Sequence, residues 1–178
     1  MNIDEQKVIA DKVLELLASI DKGCILAGGA PRDWYLEKPA TDLDFYFAPH
    51  GVSIDEIAYK LDKLGLPSDC NEGDFQLYER NPDILGVFSG YMDGIAVQLI
   101  CVKHSATYAV GEFALDLSQA WYREGRIWTT HEFDLAVSKK IIRITNSLYG
   151  NGDAYVQKIL NKFPDFTFVG YSVNAAGW

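Results

Sequence analysis

The sequence is short of positive charge, and this shortage limits the partners that it can bind. Its 178 residues include 16 lysines and arginines against 25 aspartates and glutamates, which gives a formal net charge of −9. Such a chain has no general attraction for a phosphate backbone. Any contact with a nucleic acid must therefore come from a local patch of the surface.

Cysteine and histidine are scarce as well. The three cysteines, Cys24, Cys70 and Cys101, are odd in number and scattered along the chain, which does not suit a disulfide framework or a zinc site. We expect them to be buried, reduced thiols, as is typical of a cytoplasmic protein. The three histidines are equally dispersed, so they predict no metal-binding cluster.

Long hydrophobic runs and linkers are also missing. No stretch approaches the roughly 18 apolar residues of a membrane span, and the charged start MNIDEQKVIADK is unlike a secretion signal. No repeat, low-complexity segment or Pro/Gly/Ser-rich linker divides the chain. Because 48% of the residues are apolar, we expect one soluble domain over residues 1–178, without membrane contacts.

The spacing of apolar residues predicts a mixed α/β organisation. The predicted elements, in chain order, are a helix over 4–21, a strand at 24–27, a short helix at 32–38, a strand at 42–47, a helix capped by Ser53 and Glu56, a hairpin at 84–102 around Asp93-Gly94, a hairpin at 118–130 around Glu124-Gly125, a helix at 131–140, a strand at 140–145 and a helix at 153–163 before Pro164.

The stretch ILAGGAPRDWYLEKPATDLDFYF, residues 25–47, combines two features of a phosphate and metal site. Residues two apart in a strand point to the same face, so Asp42 and Asp44 present their carboxylates side by side. Two like charges this close repel each other, and a divalent cation such as Mg²⁺ relieves that repulsion. Gly28 and Gly29 allow backbone N–H groups to approach phosphate oxygens closely. Together the two features predict a triphosphate site.

Either feature alone is more often structural. A Gly-Gly pair after a strand is commonly only a turn, and an Asp-x-Asp sequence at the start of a strand is common by chance. Their order, with one short helix carrying Arg32 and Asp33 between them, favours a functional interpretation.

The motifs GGAPRD and DLDFYF resemble those of the nucleotidyltransferase head domain of class II tRNA nucleotidyltransferases and bacterial poly(A) polymerases, in the DNA polymerase β superfamily. The resemblance covers roughly residues 20–145, and residues 150–178 add a helix and a tail. It implies a polymerase-β-like fold with a mixed, largely antiparallel sheet backed by helices. It also implies that Gly28 and Gly29 hold an NTP and that Asp42 and Asp44 bind Mg²⁺ or Mn²⁺. Arg32 and Asp33 on the following helix are then expected to belong to the nucleotide site, with Arg32 fixing either the turn or a phosphate.

The sequence departs from the family pattern at a third acidic position. Members usually carry another carboxylate on the strand corresponding to GIAVQLICV, whereas this stretch offers Ala96 and Gln98. A neutral amide cannot act as the base that activates an acceptor hydroxyl. Asp116, which alternates with Leu115 and Leu117, is the nearest inward or functional acid in a later strand, and it is either a catalytic residue or a solvent-facing polar residue.

Two further side chains are candidates for nucleotide contacts. Tyr46 follows Asp42 and Asp44 to one side of their strand, which favours a position near the nucleotide. Lys38, after the short helix, would neutralise phosphate or else remain a solvated lysine.

The resemblance implies transfer of a nucleoside monophosphate from an NTP to an RNA 3′ end, with release of pyrophosphate. The family's base-selecting neck and tRNA-binding body are not expected within 178 residues. Alternatives therefore stay open: a stand-alone nucleotidyltransferase that modifies a protein or small molecule, or an inactive nucleotide-binding module. Base preference and oligomeric state have no signal in the sequence.

Overall fold

Helices and strands alternate along the chain in the computed structural model, which describes residues 1–70, 81–146 and 152–171. The elements are α1 (Ile3–Leu17), β1 (Ile25–Ala27), α2 (Gly29–Tyr35), β2 (Asp42–Phe47), α3 (Ile54–Lys63), β3 (Ile84–Met92), β4 (Ile95–Val102), α4 (Ala106–Gly111), a 3₁₀ turn (Asp116–Ser118), β5 (Ala120–Arg123), β6 (Arg126–Thr129), α5 (His131–Lys139), β7 (Ile141–Ile144), α6 (Gly152–Lys162) and β8 (Thr167–Tyr171).

The main sheet has six strands in the order β3-β4-β2-β1-β5-β6. Only β2 and β4 run parallel to each other, and the other four neighbouring pairs are antiparallel. In the described part of the chain, β7 and β8 form a separate parallel pair. The predicted mixed, largely antiparallel sheet is therefore confirmed.

The two faces of this sheet differ because side chains alternate along each strand. We call the face that carries Leu43 and Phe45 the back face; it packs against α1 and α3 in the largest apolar core. We call the opposite face, which carries Asp42, Asp44 and Tyr46, the front face. Part of the front face is covered by α4 through an apolar cluster of its own.

Both hairpins turn where the sequence predicts. Asp93 and Gly94 connect β3 to β4 with φ angles of 49° and 88°, and Glu124 and Gly125 connect β5 to β6 with φ angles of 53° and 74°. Two consecutive left-handed residues match the right-handed twist of the flanking strands, which explains the glycine in each turn.

The helix predictions need four corrections. The helix α1 ends at Leu17, four residues before its predicted end. The short helix α2 begins at Gly29 and ends at Tyr35, three residues earlier than predicted, because the pre-set φ of Pro31 suits a first helical turn. The helix α4 was not predicted. Ser53 caps α3 as expected, but the Glu56 carboxylate pairs with Lys60 at 3.0 Å, one turn further along the helix.

A third apolar cluster joins the 3₁₀ turn, α5, β7 and α6. Its centre is formed by the buried side chains of Phe133, Ile142, Ile159 and Phe163. The cluster also includes Ala120 at the start of β5, which places α6 beside the main sheet, and α6 ends before Pro164 as predicted. Its position matters because α6 lies next to the residues of the candidate site.

Asp116 ties this cluster together and is neither solvent-facing nor part of a strand, so both of those predictions are wrong. Its side chain is fully buried in the 3₁₀ turn. One carboxylate oxygen accepts from Arg143 Nε at 2.9 Å, and the other accepts from the backbone N–H groups of Leu117 and Arg143 at 2.7 and 3.0 Å. A carboxylate so enclosed cannot reach an acceptor hydroxyl.

We therefore predict that Asp116→Asn destabilises the fold by about 3 kcal/mol, because it removes the charge that compensates Arg143 in a buried pair. Urea unfolding at neutral pH measures this change in the free energy of unfolding. Glu132 also pairs with Arg143, at 2.8 Å, but its side chain is 44% exposed. The control Glu132→Gln should cost less than about 1 kcal/mol, and equal losses for the two variants would contradict this assignment.

Candidate functional site

Asp42 and Asp44 lie where β2 begins, on the front face of the sheet. Both are partly exposed, and they alternate with the fully buried Leu43 and Phe45. Thr41 Oγ1 donates a hydrogen bond to Asp42 Oδ1 at 3.2 Å. The strand therefore places the two carboxylates on one side, as the Asp-x-Asp spacing predicts.

The electrostatics of this pair suit a divalent cation. The pKa of Asp44 is raised to about 7, mainly by burial and also by the neighbouring Asp42 charge, while Lys158 and Arg32 partly offset the rise. A protein that holds two repelling carboxylates at a partly buried edge lowers its own stability. Hard carboxylate oxygens are the ligands that Mg²⁺ and Mn²⁺ prefer, so the donor set fits such an ion.

Protein ligands would supply only part of the coordination of that ion. Within the described ranges, no group of three or more His, Cys, Asp or Glu side chains is placed to hold a metal. An ion bound by Asp42 and Asp44 would complete its shell with water or with ligand oxygens, as Mg²⁺ commonly does with nucleotide phosphates.

The Gly-Gly turn adjoins this pair. Gly28 has a φ of 83°, and it precedes the first residue of α2. Since L side chains rarely adopt that conformation, glycine is required there. The Gly28 N–H donates to the Ala120 carbonyl at 2.9 Å, so this amide is used inside the fold. The turn brings the start of α2 to the same edge of the sheet as Asp42.

Arg32 and Asp33 support the turn from within. Both are almost fully buried, and Arg32 donates to Asp33 Oδ1 through Nε at 2.9 Å and Nη2 at 2.7 Å. A Cβ on Gly29 would lie 3.6 Å from Arg32 Nη2, so the guanidinium packs directly beneath the turn. Of the two roles predicted for Arg32, this burial favours fixing the turn, and a nucleotide contact of Arg32 or Asp33 stays a prediction.

The helix α6 brings a lysine to the site that the sequence did not single out. Lys162 Nζ forms an ion pair with Asp33 Oδ2, and the Tyr155 hydroxyl lies 3.2 Å from Ser118 Oγ. Lys158 lies between these two anchors, at positions i+3 from Tyr155 and i−4 from Lys162, on the same side of the helix. It is exposed and makes no ion pair in the described part of the chain, while its charge acts on Asp44.

Tyr46 and Lys38 are held in other contacts. Tyr46 shares the front face with Asp44 as predicted, but it is only 7% exposed and packs against Phe113 with a ring distance of 5.4 Å. Lys38 Nζ donates to the Lys162 carbonyl at the end of α6 and lies 4.8 Å from the centre of the Phe163 ring. Both side chains therefore take part in packing contacts within the fold.

The strand β4 places Gln98 beside the carboxylates. In the parallel pairing of β2 with β4, Ala96 lies opposite Asp42 and Gln98 lies opposite Asp44. The sequence correctly indicates that this strand provides no third carboxylate at that level. Gln98 is a neutral neighbour that cannot accept a proton from a hydroxyl group.

The predicted burial of the three cysteines is only partly confirmed. Cys24 and Cys101 are buried as predicted, but Cys70 is exposed, so that part of the prediction is wrong. His104 pairs with Asp83 at 3.4 Å.

None of the helices in the described ranges has the length and apolar content that crossing a membrane requires.

The chain resembles known proteins in its fold alone. No family model matches the chain, and no curated protein does. Solved structures do match. The Thermotoga maritima CCA-adding enzyme complexed with tRNA is 14% identical, with a TM-score of 0.56, over 95% of this chain and 42% of its own. A tRNA nucleotidyltransferase complexed with a primer tRNA and an incoming ATP analogue is 13% identical, with a TM-score of 0.57, over 92% and 47%. The Bacillus stearothermophilus CCA-adding enzyme in complex with CTP is 14% identical, with a TM-score of 0.55, over 89% and 40%.

These likenesses show the fold of the chain. It folds like part of the tRNA nucleotidyltransferases, and it spans less than half the length of the solved structures named above. The match covers up to 95% of the chain, which is more than residues 20–145, where the sequence motifs suggest a resemblance. The C-terminal elements after residue 145 therefore belong to the shared architecture as well.

We predict that Asp44→Asn stabilises the protein above pH 7 by roughly 2–4 kcal/mol and changes little near pH 4. The raised pKa means that the unfolded chain loses its Asp44 proton first, so wild-type stability falls as the pH rises from about 4 to about 7. Asparagine carries no charge and avoids that loss. Urea unfolding across this pH range tests the prediction, with Asp62→Asn on the exposed side of α3 as the control. A difference that is independent of pH would contradict it.

We also predict that Mg²⁺ or Mn²⁺ raises the melting temperature of the wild-type protein at pH 8, because the cation offsets the repulsion between the carboxylates. Asp42→Asn/Asp44→Asn should lose this response, whereas Asp62→Asn should keep it. Differential scanning fluorimetry with each metal provides the measurement, and equal responses of all three proteins would place the cation elsewhere.

Proposed function

We propose that the protein is a metal-dependent nucleotidyltransferase that moves a nucleoside monophosphate from an NTP to a hydroxyl acceptor, the 3′ end of an RNA, and releases pyrophosphate. The observation that carries this proposal is the placement of Asp42 and Asp44 on one face of β2 beside the glycine turn at Gly28. A metal-bound phosphate needs carboxylates that hold the metal and a backbone segment that phosphate oxygens can approach closely. The shared fold adds support.

Each part of the site would have a separate role in this reaction. Asp42 and Asp44 would hold Mg²⁺ or Mn²⁺, which lowers the charge on the triphosphate when bound. The turn at Gly28 and Gly29 would hold the triphosphate through backbone N–H groups other than that of Gly28, which donates to Ala120. Lys158 is an exposed cation whose charge lowers the pKa of Asp44. We assign it to binding the β- and γ-phosphates of the NTP, which leave as pyrophosphate.

The transfer makes one bond and breaks one. The acceptor oxygen bonds to the α-phosphorus, the α–β phosphoanhydride bond breaks, and its electron pair leaves with pyrophosphate. The acceptor proton must go to solvent or to a carboxylate, because Gln98 lies opposite Asp44 and is not basic. The neutral residue at this position predicts a slower reaction than a site with three carboxylates would support.

RNA is the acceptor that the comparisons favour. Two of the solved structures with this fold carry tRNA. The chain itself has a net charge of −9, so an RNA acceptor would be held by a local surface instead of by the charge of the whole protein.

The direct test offers each α-labelled NTP with Mg²⁺ or Mn²⁺ to total tRNA, mixed RNA and a cell protein extract. We expect the label to appear on RNA and the double variant Asp42→Ala/Asp44→Ala to lose transfer by at least about a hundredfold, because the metal ligands are gone. Label on protein alone would contradict the RNA acceptor, and transfer unchanged in the double variant would contradict the site.

The role of Lys158 predicts a separate effect. Lys158→Met should raise the KM for NTP by about tenfold, since a charged contact to phosphate contributes on the order of 1.5 kcal/mol. Steady-state kinetics at fixed RNA measures this change. Lys139→Met, at the exposed end of α5, is the matched control, and a normal KM in Lys158→Met would remove Lys158 from the site.

A second candidate function rests on Gln98. Because this residue lies opposite Asp44 where a third carboxylate would serve as a base, the protein could bind a metal nucleotide without turnover. Calorimetry separates the two functions: Mg²⁺-dependent NTP binding that Asp42→Ala/Asp44→Ala loses, with no transfer of label, supports the binding module. Transfer of label supports the enzyme.

A further inference from the structure

The hairpin β5–β6 carries a second group of side chains on the front face. Directly paired residues on neighbouring strands share a face, and Trp121 pairs with Trp128 while Arg123 pairs with Arg126. The intervening Tyr122 belongs to the back-face core. We call Trp121, Arg123, Arg126 and Trp128 the tryptophan–arginine surface.

This surface lies on the same face as the carboxylate pair, with its tryptophans level with Asp44 and its arginines level with Tyr46. Trp121 pairs with Ala27 of β1, and the register that pairs Leu26 with Phe45 puts Ala27 level with Asp44. Neighbouring strands lie about 4.8 Å apart, so across the sheet the Cα atom of Trp121 is about 10 Å and that of Trp128 about 14 Å from the Cα atom of Asp44. A short strand of nucleic acid can span this distance.

The two tryptophans are arranged as a partly open stacking surface. Their rings lie 6.5 Å apart between centres with an interplanar angle of 14°. Trp121 is partly buried against the cluster beneath α4, whereas Trp128 remains 49% exposed. A cross-strand tryptophan pair stabilises a hairpin, but that role does not require half of one indole to face solvent beside the candidate site.

The arginines provide the charge that the chain otherwise lacks. Arg126 is exposed and makes no ion pair within the described ranges. Arg123 Nε pairs with Glu124 at 3.2 Å, and the Glu124 side chain is 79% exposed. This ion pair contributes little to stability, so Arg123 can exchange it for a contact with phosphate. Two arginines beside two stacked indoles, in a chain of net charge −9, form a local patch that matches phosphate and base together.

We propose that the tryptophan–arginine surface binds a single-stranded polynucleotide, with bases stacked on Trp128 and Trp121 and phosphates held by Arg126 and Arg123. Stacking on indoles accepts every base, so the surface binds without strong sequence preference. The assignment of this strand as the RNA acceptor rests on the proposed function. The binding itself does not, because it needs neither NTP nor metal.

The experiment measures fluorescence anisotropy of a short labelled single-stranded RNA titrated with the intact chain, without NTP or metal. Trp128→Ala should weaken binding by about 5- to 100-fold. Arg126→Ala should weaken it and reduce the slope of log affinity against log salt concentration by about 0.7. Trp128→Phe retains an aromatic ring and should keep most of the affinity, which separates lost stacking from a damaged hairpin.

Matched controls come from the back of the molecule. Tyr59 and Lys63 are exposed on α3, and Tyr59→Ala and Lys63→Ala should bind RNA as the wild type does. Single-stranded DNA of the same sequence and a fully paired RNA distinguish the strand that is recognised. Weaker binding of the paired RNA supports the surface, and similar affinity for single-stranded DNA and RNA means that the surface itself does not read the sugar.

Two results would overturn the inference: no binding of single-stranded RNA by the wild type, or wild-type affinity in both Trp128→Ala and Arg126→Ala. These results are distinct from failure of the proposed function, which appears as absent label transfer. A protein that transfers label normally after loss of Trp128 and Arg126 would keep its proposed function, and its acceptor would then be bound elsewhere. RNA binding without any transfer would keep the surface and remove the enzyme.

Discussion

The alternation of side chains along β2 is the constraint on which the rest of the site depends. It sends Leu43, Phe45 and Phe47 into the back-face core, where all three are fully buried, and so leaves Asp42 and Asp44 together on the front. Burial and mutual repulsion raise the pKa of Asp44 to about 7. The core thus holds in place a charge pair that is unfavourable without a neutralising partner.

A buried ionic network then fixes the elements around this pair. Asp33 accepts from Arg32 within α2 and from Lys162 at the end of α6, 129 residues further along the chain. Removing one member of such a network leaves an uncompensated buried charge, which is more costly than losing an exposed ion pair. The network positions the glycine turn and presents Lys158 to the same edge of the sheet.

Much of the fold could be predicted because its signals are local. The Asp-Gly and Glu-Gly turns specify both hairpins, and the Asp-x-Asp spacing specifies a shared face. The parallel pairing of β2 with β4 has no local signal, since it joins strands about 50 residues apart. The same limit explains Asp116: its alternation with leucines indicates a strand, whereas its burial depends on Arg143, 27 residues away. Lys158 was missed because only the long-range anchors Tyr155 and Lys162 show which way α6 faces; their helical spacing was the available signal.

A crystal structure with Mn²⁺ and a non-hydrolysable NTP, using the anomalous signal of the metal, decides whether Asp42 and Asp44 bind a metal nucleotide. We expect a metal peak within about 2.2 Å of carboxylate oxygens of both residues, in contact with the triphosphate. A metal nucleotide bound elsewhere on the protein, with this carboxylate pair unliganded, would contradict this expectation.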